Sequence, residues 1–97
     1  MKYRIETVSS RIKRELYRIP PLDRQRVAEA VQTLADDPRP LGVKQLELNV
    51  YRLRVGDYRV IYKVFDAEGV ILIGRVVRRS ESTYRGLRRL FEPGRSD

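Results

Sequence analysis

The spacing of apolar and polar positions changes along the chain. Residues 3–8 alternate between the two classes, which predicts a half-buried strand. Apolar side chains then recur three or four positions apart over residues 9–19 and again over residues 24–35, and this spacing predicts two amphipathic helices. The Pro20-Pro21 pair separates them, and Asp23 is expected to cap the second helix.

From residue 50 onward the apolar positions alternate, so we expect strands instead of helices. Three consecutive strands are predicted, over residues 50–55, 58–65 and 70–78. Gly56 and Asp57 form the first connecting turn, with glycine at the position where a type II′ turn needs a positive φ. Residues 66–69 form the second turn, and residues 36–49 are predicted to be a loop.

A last helix is expected to begin at Ser80 or Glu81 and to end at Phe91, ahead of a frayed tail over residues 93–97. The predicted order is therefore β-α-α-β-β-β-α. The chain has 97 residues, enough for one core, so we expect a single domain over residues 1–97. Its class is α+β, with helices mainly on one face of a largely antiparallel sheet.

The two-residue turn fixes the register of the strands on either side of it. It sets Val55 opposite Tyr58 and Arg54 opposite Arg59. The core face then carries Tyr51, Leu53, Val55, Tyr58, Val60 and Tyr62. The other face carries four basic residues, namely Arg52, Arg54, Arg59 and Lys63. Two arginines directly opposite each other repel by up to about 1 kcal/mol, which favours a function in which an anion lies between them. The alternative is a solvated outer face without a ligand.

The third strand is expected to extend this face. With Phe65 opposite Val70, an unbroken ladder places Arg78 near Arg59 and sends Arg79 to the core side or the rim. A bulge within the 66–69 turn would exchange the two arginines. Gly74 would leave room on the basic face for a ligand or another backbone.

Charge and composition narrow the class of partner. The chain contains 21 Lys and Arg against 13 Asp and Glu, a formal net charge of +8, and 17 of the basic residues are Arg. Such a domain attracts polyanions, either nucleic acid or an anionic membrane surface. Because the arginine fork binds phosphate through two parallel hydrogen bonds, the excess of Arg favours phosphodiester contact.

Two absent residue types exclude several chemistries. The chain contains no histidine and no cysteine, which excludes Ser-His-Asp and Cys-His mechanisms, thiolate chemistry and disulfides. We expect no metal and no cofactor. The chain shows no apolar segment long enough to span a bilayer and no signal peptide, so a cytoplasmic protein without a membrane partner is expected.

RNA cleavage by attack of the 2′-hydroxyl on the phosphodiester is compatible with this composition. An arginine cluster can neutralise the pentacoordinate phosphorane. Tyr84 is the candidate base, because nearby positive charge favours the phenolate. Arginine is a poor proton donor, so Arg78 would need unusual surroundings to act as the acid, or would act by electrostatics alone. The same residues without proton transfer would form a phosphate-binding platform, and the residues alone leave both possibilities open.

Two segments carry a resemblance to a known family. They are YRLRVGDYRVIY over residues 51–62 and VRRSESTYR over residues 77–85. The chain resembles the RelE side of the RelE/ParE toxin superfamily over nearly its whole length. The resemblance implies a ribosome-dependent mRNA interferase that cleaves codons in the ribosomal A site and is neutralised by a RelB-like antitoxin. Its partners would be that antitoxin, mRNA in the A site and ribosomal RNA.

The resemblance also implies the site residues. The catalytic set carried over onto this sequence is Arg52, Arg54, Arg59, Arg78 and Tyr84. Further RNA contacts are expected from Lys44, Lys63, Arg79, Arg85 and Arg88. Some RelE members have lysine where this chain has arginine at positions 52 and 54, and this difference shifts the role of base onto the tyrosine.

Two other functions are compatible with the sequence. ParE members inhibit DNA gyrase on the same scaffold without nuclease chemistry, although their set of basic residues is usually incomplete. A basic RNA-binding module without catalysis is the third hypothesis. The pattern of message cleavage in cells distinguishes the three.

Overall fold

Two helices pack on one face of a five-stranded sheet in the computed structural model, which describes residues 2–79 and 90–91. The elements are β1 (Arg4–Thr7), α1 (Arg11–Tyr17), α2 (Pro21–Thr33), β2 (Lys44–Glu47), β3 (Val50–Val55), β4 (Tyr58–Phe65) and β5 (Val70–Arg78). The predicted α+β class is confirmed. The predicted last helix and the tail over residues 93–97 lie outside the described residues, except for Leu90 and Phe91.

The strand order across the sheet is β1-β5-β4-β3-β2. β1 pairs in parallel with β5, and the other neighbouring strands are antiparallel. Strand β2 was not predicted, because residues 36–49 were assigned to a loop. Its four residues, Lys44 to Glu47, include a single aliphatic side chain, so the alternation that indicates a strand is absent from its sequence.

The start of α2 differs from the prediction. The helix begins at Pro21 and not at residue 24, and the residue before it, Pro20, is extended with ψ of 148°. Proline fits the first helical position because its φ is already helical and its missing N–H needs no partner there. Asp23 therefore lies inside the first turn, where its charge complements the helix dipole, and the expectation that it caps the helix is wrong.

The core lies between the helices and the inner face of the sheet. Its fully buried side chains come from both helices and from the two central strands, and they include Ile12, Val27, Leu34, Val60, Tyr62 and Ile71. The hydroxyl of Tyr62 donates to the Pro38 carbonyl at 2.7 Å. Burial raises the pKa of Tyr62. A smaller apolar cluster lies on the opposite face of the sheet, where Leu90 and Phe91 pack against Val50 and Ile61.

A polar network attaches the segment after α2 to the sheet. The Arg39 guanidinium donates to Tyr51 Oη at 2.7 Å and to both carboxylate oxygens of Asp66, at 3.2 and 2.9 Å. Asp66 also accepts a 2.6 Å hydrogen bond from the Tyr3 hydroxyl. The hydrogen bonds from Arg39 and Tyr3 both lower the pKa of Asp66, and the one from Arg39 has the larger effect. The hydrogen bond to Asp66 in turn raises the pKa of the Tyr3 hydroxyl. The network thus joins β1, β3 and the β4–β5 turn.

Within the described residues, we find no helix that combines the length and the apolar composition needed to cross a membrane.

The Asp66 network predicts a pH-dependent contribution to stability. Asp66 has a lowered pKa in the folded state, so its contribution is present above its ordinary value of 3.8 and is lost as pH falls through the lowered value. We expect Asp66→Asn to lower the thermal midpoint at neutral pH, with the difference from wild type disappearing in acid. Thermal unfolding from neutral pH down to about pH 2 measures this.

Asp36→Asn is the matched control, because Asp36 is an exposed carboxylate in the nearby loop. It should leave the thermal midpoint unchanged across the same pH range. A constant difference between Asp66→Asn and wild type at every pH would contradict the assignment.

Candidate functional site

The register of β3 and β4 is the one that the two-residue turn predicts. Val55 pairs with Tyr58, Arg54 with Arg59 and Val50 with Lys63. Gly56 has φ of +57°, the positive value that the first central position of a type II′ turn requires. The alternation that follows places the basic side chains of both strands on the face of the sheet away from the helices.

The arginine face, defined as the outer sheet surface that carries Arg52, Arg54 and Arg59, forms two neighbouring rows across the strands. Arg54 and Arg59 form the row nearest the turn. In the next row, β2 places Lys44 opposite Arg52. Arg52 and Arg59 are half-buried, whereas Lys44 and Arg54 are exposed. Four of the predicted site residues are therefore brought together at one end of the sheet.

Lys63 lies one row further from the turn, in different surroundings. It pairs with Val50 on one side and with Leu72 on the other, and its ammonium lies 5.3 Å from the centre of the Phe65 ring. Buried Ile61 occupies the β4 position between Lys63 and Arg59 on this face. The predicted basic face is thus divided into a cationic end at the turn and an apolar middle.

A bulge in β5 changes the predicted position of Arg78. The ladder begins as expected with Phe65 opposite Val70, but it shifts between Ile61 and Tyr62, and Gly74 is the extra residue. Beyond the bulge, Arg78 pairs with Tyr58 and Val77 pairs with Arg59. The prediction that Arg78 lies near Arg59 on the arginine face is therefore wrong, and the responsible bulge is within the strand instead of in the 66–69 turn.

Arg78, the last residue of β5, and Arg79, which follows it, are both exposed. The guanidinium of Arg78 lies 5.9 Å from the centre of the Tyr58 ring, on the helix side of the sheet. Arg79 follows the strand, and its backbone N–H donates to the Asp57 carbonyl at 2.8 Å. This hydrogen bond attaches the end of β5 to the β3–β4 turn, so the two arginines lie at the same end of the sheet as the cationic rows.

The space above Gly74 is filled by a side chain of the chain itself. A Cβ atom at position 74 would lie 2.6 Å from Cζ of Phe91. The expectation that Gly74 leaves room for a ligand is therefore wrong, because the Phe91 ring packs directly on its backbone.

Glu15, which the sequence analysis did not single out, holds the bulge in place. Its carboxylate is 8% exposed and accepts a 2.7 Å hydrogen bond from the Val76 N–H. Its other oxygen lies 3.4 Å from Nε of Arg11 and 3.5 Å from Nε of Arg75. Arg11 also donates to the Gly74 carbonyl at 2.7 Å. An acid in the apolar stripe of α1, three residues after Ile12, was the available signal in the sequence.

Three predicted site residues, Tyr84, Arg85 and Arg88, lie outside the described residues. Within the described ranges, no group of three acidic side chains is placed to hold a metal ion. The chemistry that the described rows support is electrostatic, since several cations converge where one or two anionic groups could lie.

Comparison with protein families finds one match that covers most of the chain. A family described as the ParE toxin of the type II toxin–antitoxin system parDE matches residues 8–83. A protein of Methanocaldococcus jannaschii that carries the name toxin RelE1 is 32% identical over 90 residues, which cover 88% of this chain and 98% of that protein.

Solved structures share the fold. The archaeal RelE–RelB complex from Pyrococcus horikoshii contains a chain that is 31% identical, with a TM-score of 0.75 over 84% of this chain and 100% of that chain. The toxin–antitoxin complex RelBE2 from Mycobacterium tuberculosis contains a chain that is 26% identical, with a TM-score of 0.69 over 81% of this chain and 100% of that chain.

The pairing of Arg54 with Arg59 predicts a cost to folding. We expect Arg54→Thr to raise the free energy of unfolding by about 0.2–1 kcal/mol, because it removes a like-charge cross-strand pair and introduces a good strand former. Urea denaturation at low ionic strength measures this difference.

Arg54→Lys is the control, because it keeps the charge and should give no comparable gain. A threonine variant less stable than the lysine variant would show that the two cations do not oppose folding.

Proposed function

The chain belongs to the RelE/ParE superfamily of type II toxin–antitoxin toxins and is RelE-like, and we propose that it is an endoribonuclease that cleaves mRNA in the ribosomal A site. The observation that carries this proposal is the cationic end of the arginine face. Lys44, Arg52, Arg54 and Arg59 lie in two adjoining rows on the outer face of the sheet. Phosphoryl chemistry needs this concentration of fixed positive charge at the transition state.

The proposed reaction is a transesterification within the RNA strand. The 2′-hydroxyl loses its proton to a base, and its oxygen forms a bond to the adjacent phosphorus. The resulting phosphorane then breaks its bond to the 5′-oxygen of the next nucleotide, which takes up a proton. The products are a 2′,3′-cyclic phosphate and a free 5′-hydroxyl, and no metal or cofactor takes part.

The residues have different proposed roles in this reaction. Arg52, Arg54 and Arg59 neutralise the phosphorane, because guanidinium groups bind phosphate oxygens in pairs. Tyr84 is the proposed base, and Arg78 acts by electrostatics from the end of β5. Further contacts to the RNA are proposed for Lys44, Lys63, Arg79, Arg85 and Arg88.

A RelB-like antitoxin is the proposed partner that holds the activity in check. The similar chains from P. horikoshii and M. tuberculosis were solved in complexes of RelE with RelB and of RelBE2, respectively. A binding segment that is acidic or amphipathic would complement a chain of net charge +8. Because the proposed substrate is mRNA in the ribosomal A site and the proposed contacts include ribosomal RNA, the proposed place of action is the cytoplasm.

Inhibition of DNA gyrase is the second candidate, because the matching family description is that of the ParE toxin. A gyrase inhibitor would act by binding a protein and would leave messages intact. The two candidates therefore differ in a direct observable, which is cleavage of translated RNA.

The proposed chemistry predicts that two substitutions strongly reduce cleavage. Arg59→Ala removes a donor to the phosphorane and should lower the cleavage rate by about 10²–10³-fold. Tyr84→Phe removes the proposed proton acceptor and should lower it by about 10²–10⁴-fold. Primer extension on mRNA from cells that express each variant locates and quantifies the cuts.

Arg26→Ala is the control, because Arg26 is an exposed arginine on α2, away from the arginine face. It should cleave like wild type. Full cleavage by both Arg59→Ala and Tyr84→Phe would contradict the site, and an SOS response with intact messages would instead support gyrase inhibition.

A further inference from the structure

A second basic site lies at the same end of the sheet but on the helix side. A cavity of about 260 Å³ opens between the last turn of α1 and the end of β5. Its charged lining consists of Glu15, Arg18, Arg75 and Arg78, and the ring of Tyr58 forms part of its wall. No motif of the sequence indicates a function for Arg18 or Arg75.

The single acid in this lining is already neutralised. Glu15 accepts the Val76 N–H through one oxygen and lies within ion-pair distance of Arg11 and Arg75 through the other. Arg18 and Arg78 are exposed and line the cavity from opposite sides, one at the C-terminal end of α1 and the other at the last position of β5. The cavity therefore has an excess of positive charge around its opening.

The cavity and the arginine face lie on the two sides of the same end of the sheet. Arg59 and Tyr58 are consecutive residues of β4, so their side chains point to opposite faces within one residue step. The hydrogen bond from Arg79 to Asp57 forms the rim between the two sides. A strand of RNA that continued from the Arg54–Arg59 row past this rim would come to the side of the sheet that carries Arg78.

We propose that the cavity bounded by Arg18, Arg75 and Arg78 is a second anion site that binds a backbone phosphate of the RNA next to the scissile one. This inference rests on the proposed function. A phosphate suits the lining because guanidinium groups approaching from two elements can each donate to its oxygens. The cavity volume of about 260 Å³ fits a phosphate with part of a ribose. It falls below the roughly 300 Å³ of ordinary small-molecule pockets.

Titration with inorganic phosphate tests the anion site independently of any RNA chemistry. The backbone amide signals of Val76 and Val77, which line the cavity, should shift as phosphate is added. Arg18→Ala should weaken this binding by about tenfold, the loss of one charged hydrogen bond. Arg26→Ala removes the same charge from α2, outside the cavity, and should bind phosphate like wild type.

Binding to RNA tests whether the phosphate that occupies this site belongs to an RNA backbone. Ribosomes programmed with a message that is 2′-O-methylated at the A-site codon cannot support attack by a 2′-oxygen, so affinity is measured without cleavage. The logarithm of this affinity falls as the logarithm of the salt concentration rises, and the slope should be less steep for Arg18→Ala than for wild type. The difference in slope should be about 0.7, the value for one lost phosphate contact to a single strand. Arg18→Lys should restore the slope, because it restores the charge.

The outcomes separate this inference from the proposed function. Absence of phosphate-induced shifts in wild type, or equal weakening by Arg18→Ala and Arg26→Ala, overturns the anion site even if the protein cleaves mRNA. Phosphate binding with an unchanged salt slope in Arg18→Ala overturns the RNA assignment and points to an acidic side chain of a protein partner. Failure of wild type to cleave any message overturns the proposed function, whereas the phosphate titration still decides on the anion site. Thermal unfolding of Arg18→Ala verifies that the variant is folded.

Discussion

The turn at Gly56 and Asp57 is the constraint on which the rest of the site depends. It allows only two residues between β3 and β4, and it thereby fixes all six cross-strand pairs. Because side chains alternate with a period of two, this register decides that Arg52, Arg54 and Arg59 share one face while Tyr51 faces the helices. One additional residue in the turn would move the cations of one strand into the core, where a charge is expensive to bury.

The limit of what the sequence predicts follows from the range of the interactions involved. The β3–β4 register was predicted because a glycine at a defined turn position is a local signal. The bulge at Gly74 was not, because two long-range hydrogen bonds stabilise it. Arg11 donates to the Gly74 carbonyl 63 residues away, and Glu15 accepts from the Val76 N–H 61 residues away. A glycine inside a strand signals either a bulge or a close approach, and both occur here, since Phe91 packs on the same residue.

Acidic side chains in the described structure serve to hold elements in place. Glu15 attaches α1 to the free edge of β5 beyond the end of β1, where the Val76 N–H has no strand partner to accept it. Asp66 similarly attaches the segment around Arg39 to the sheet. Both acids lie away from the Arg54–Arg59 row. Two acids thus fix arginines with structural roles elsewhere in the fold, whereas the strand register places Arg54 and Arg59 side by side at the end of the sheet.

The choice of arginine also limits how such a surface can be controlled. The chain contains no histidine, and arginine side chains stay charged at any pH at which a protein of this kind is folded. The positive field of the arginine face therefore cannot be reduced by the loss of a proton, whereas a histidine cluster would lose its charge in this way near neutrality. A permanently charged surface can be inhibited only when a partner covers it or displaces a group that acts beside it. Control by a tightly bound protein is accordingly the mechanism that the composition favours, whatever reaction the exposed surface supports.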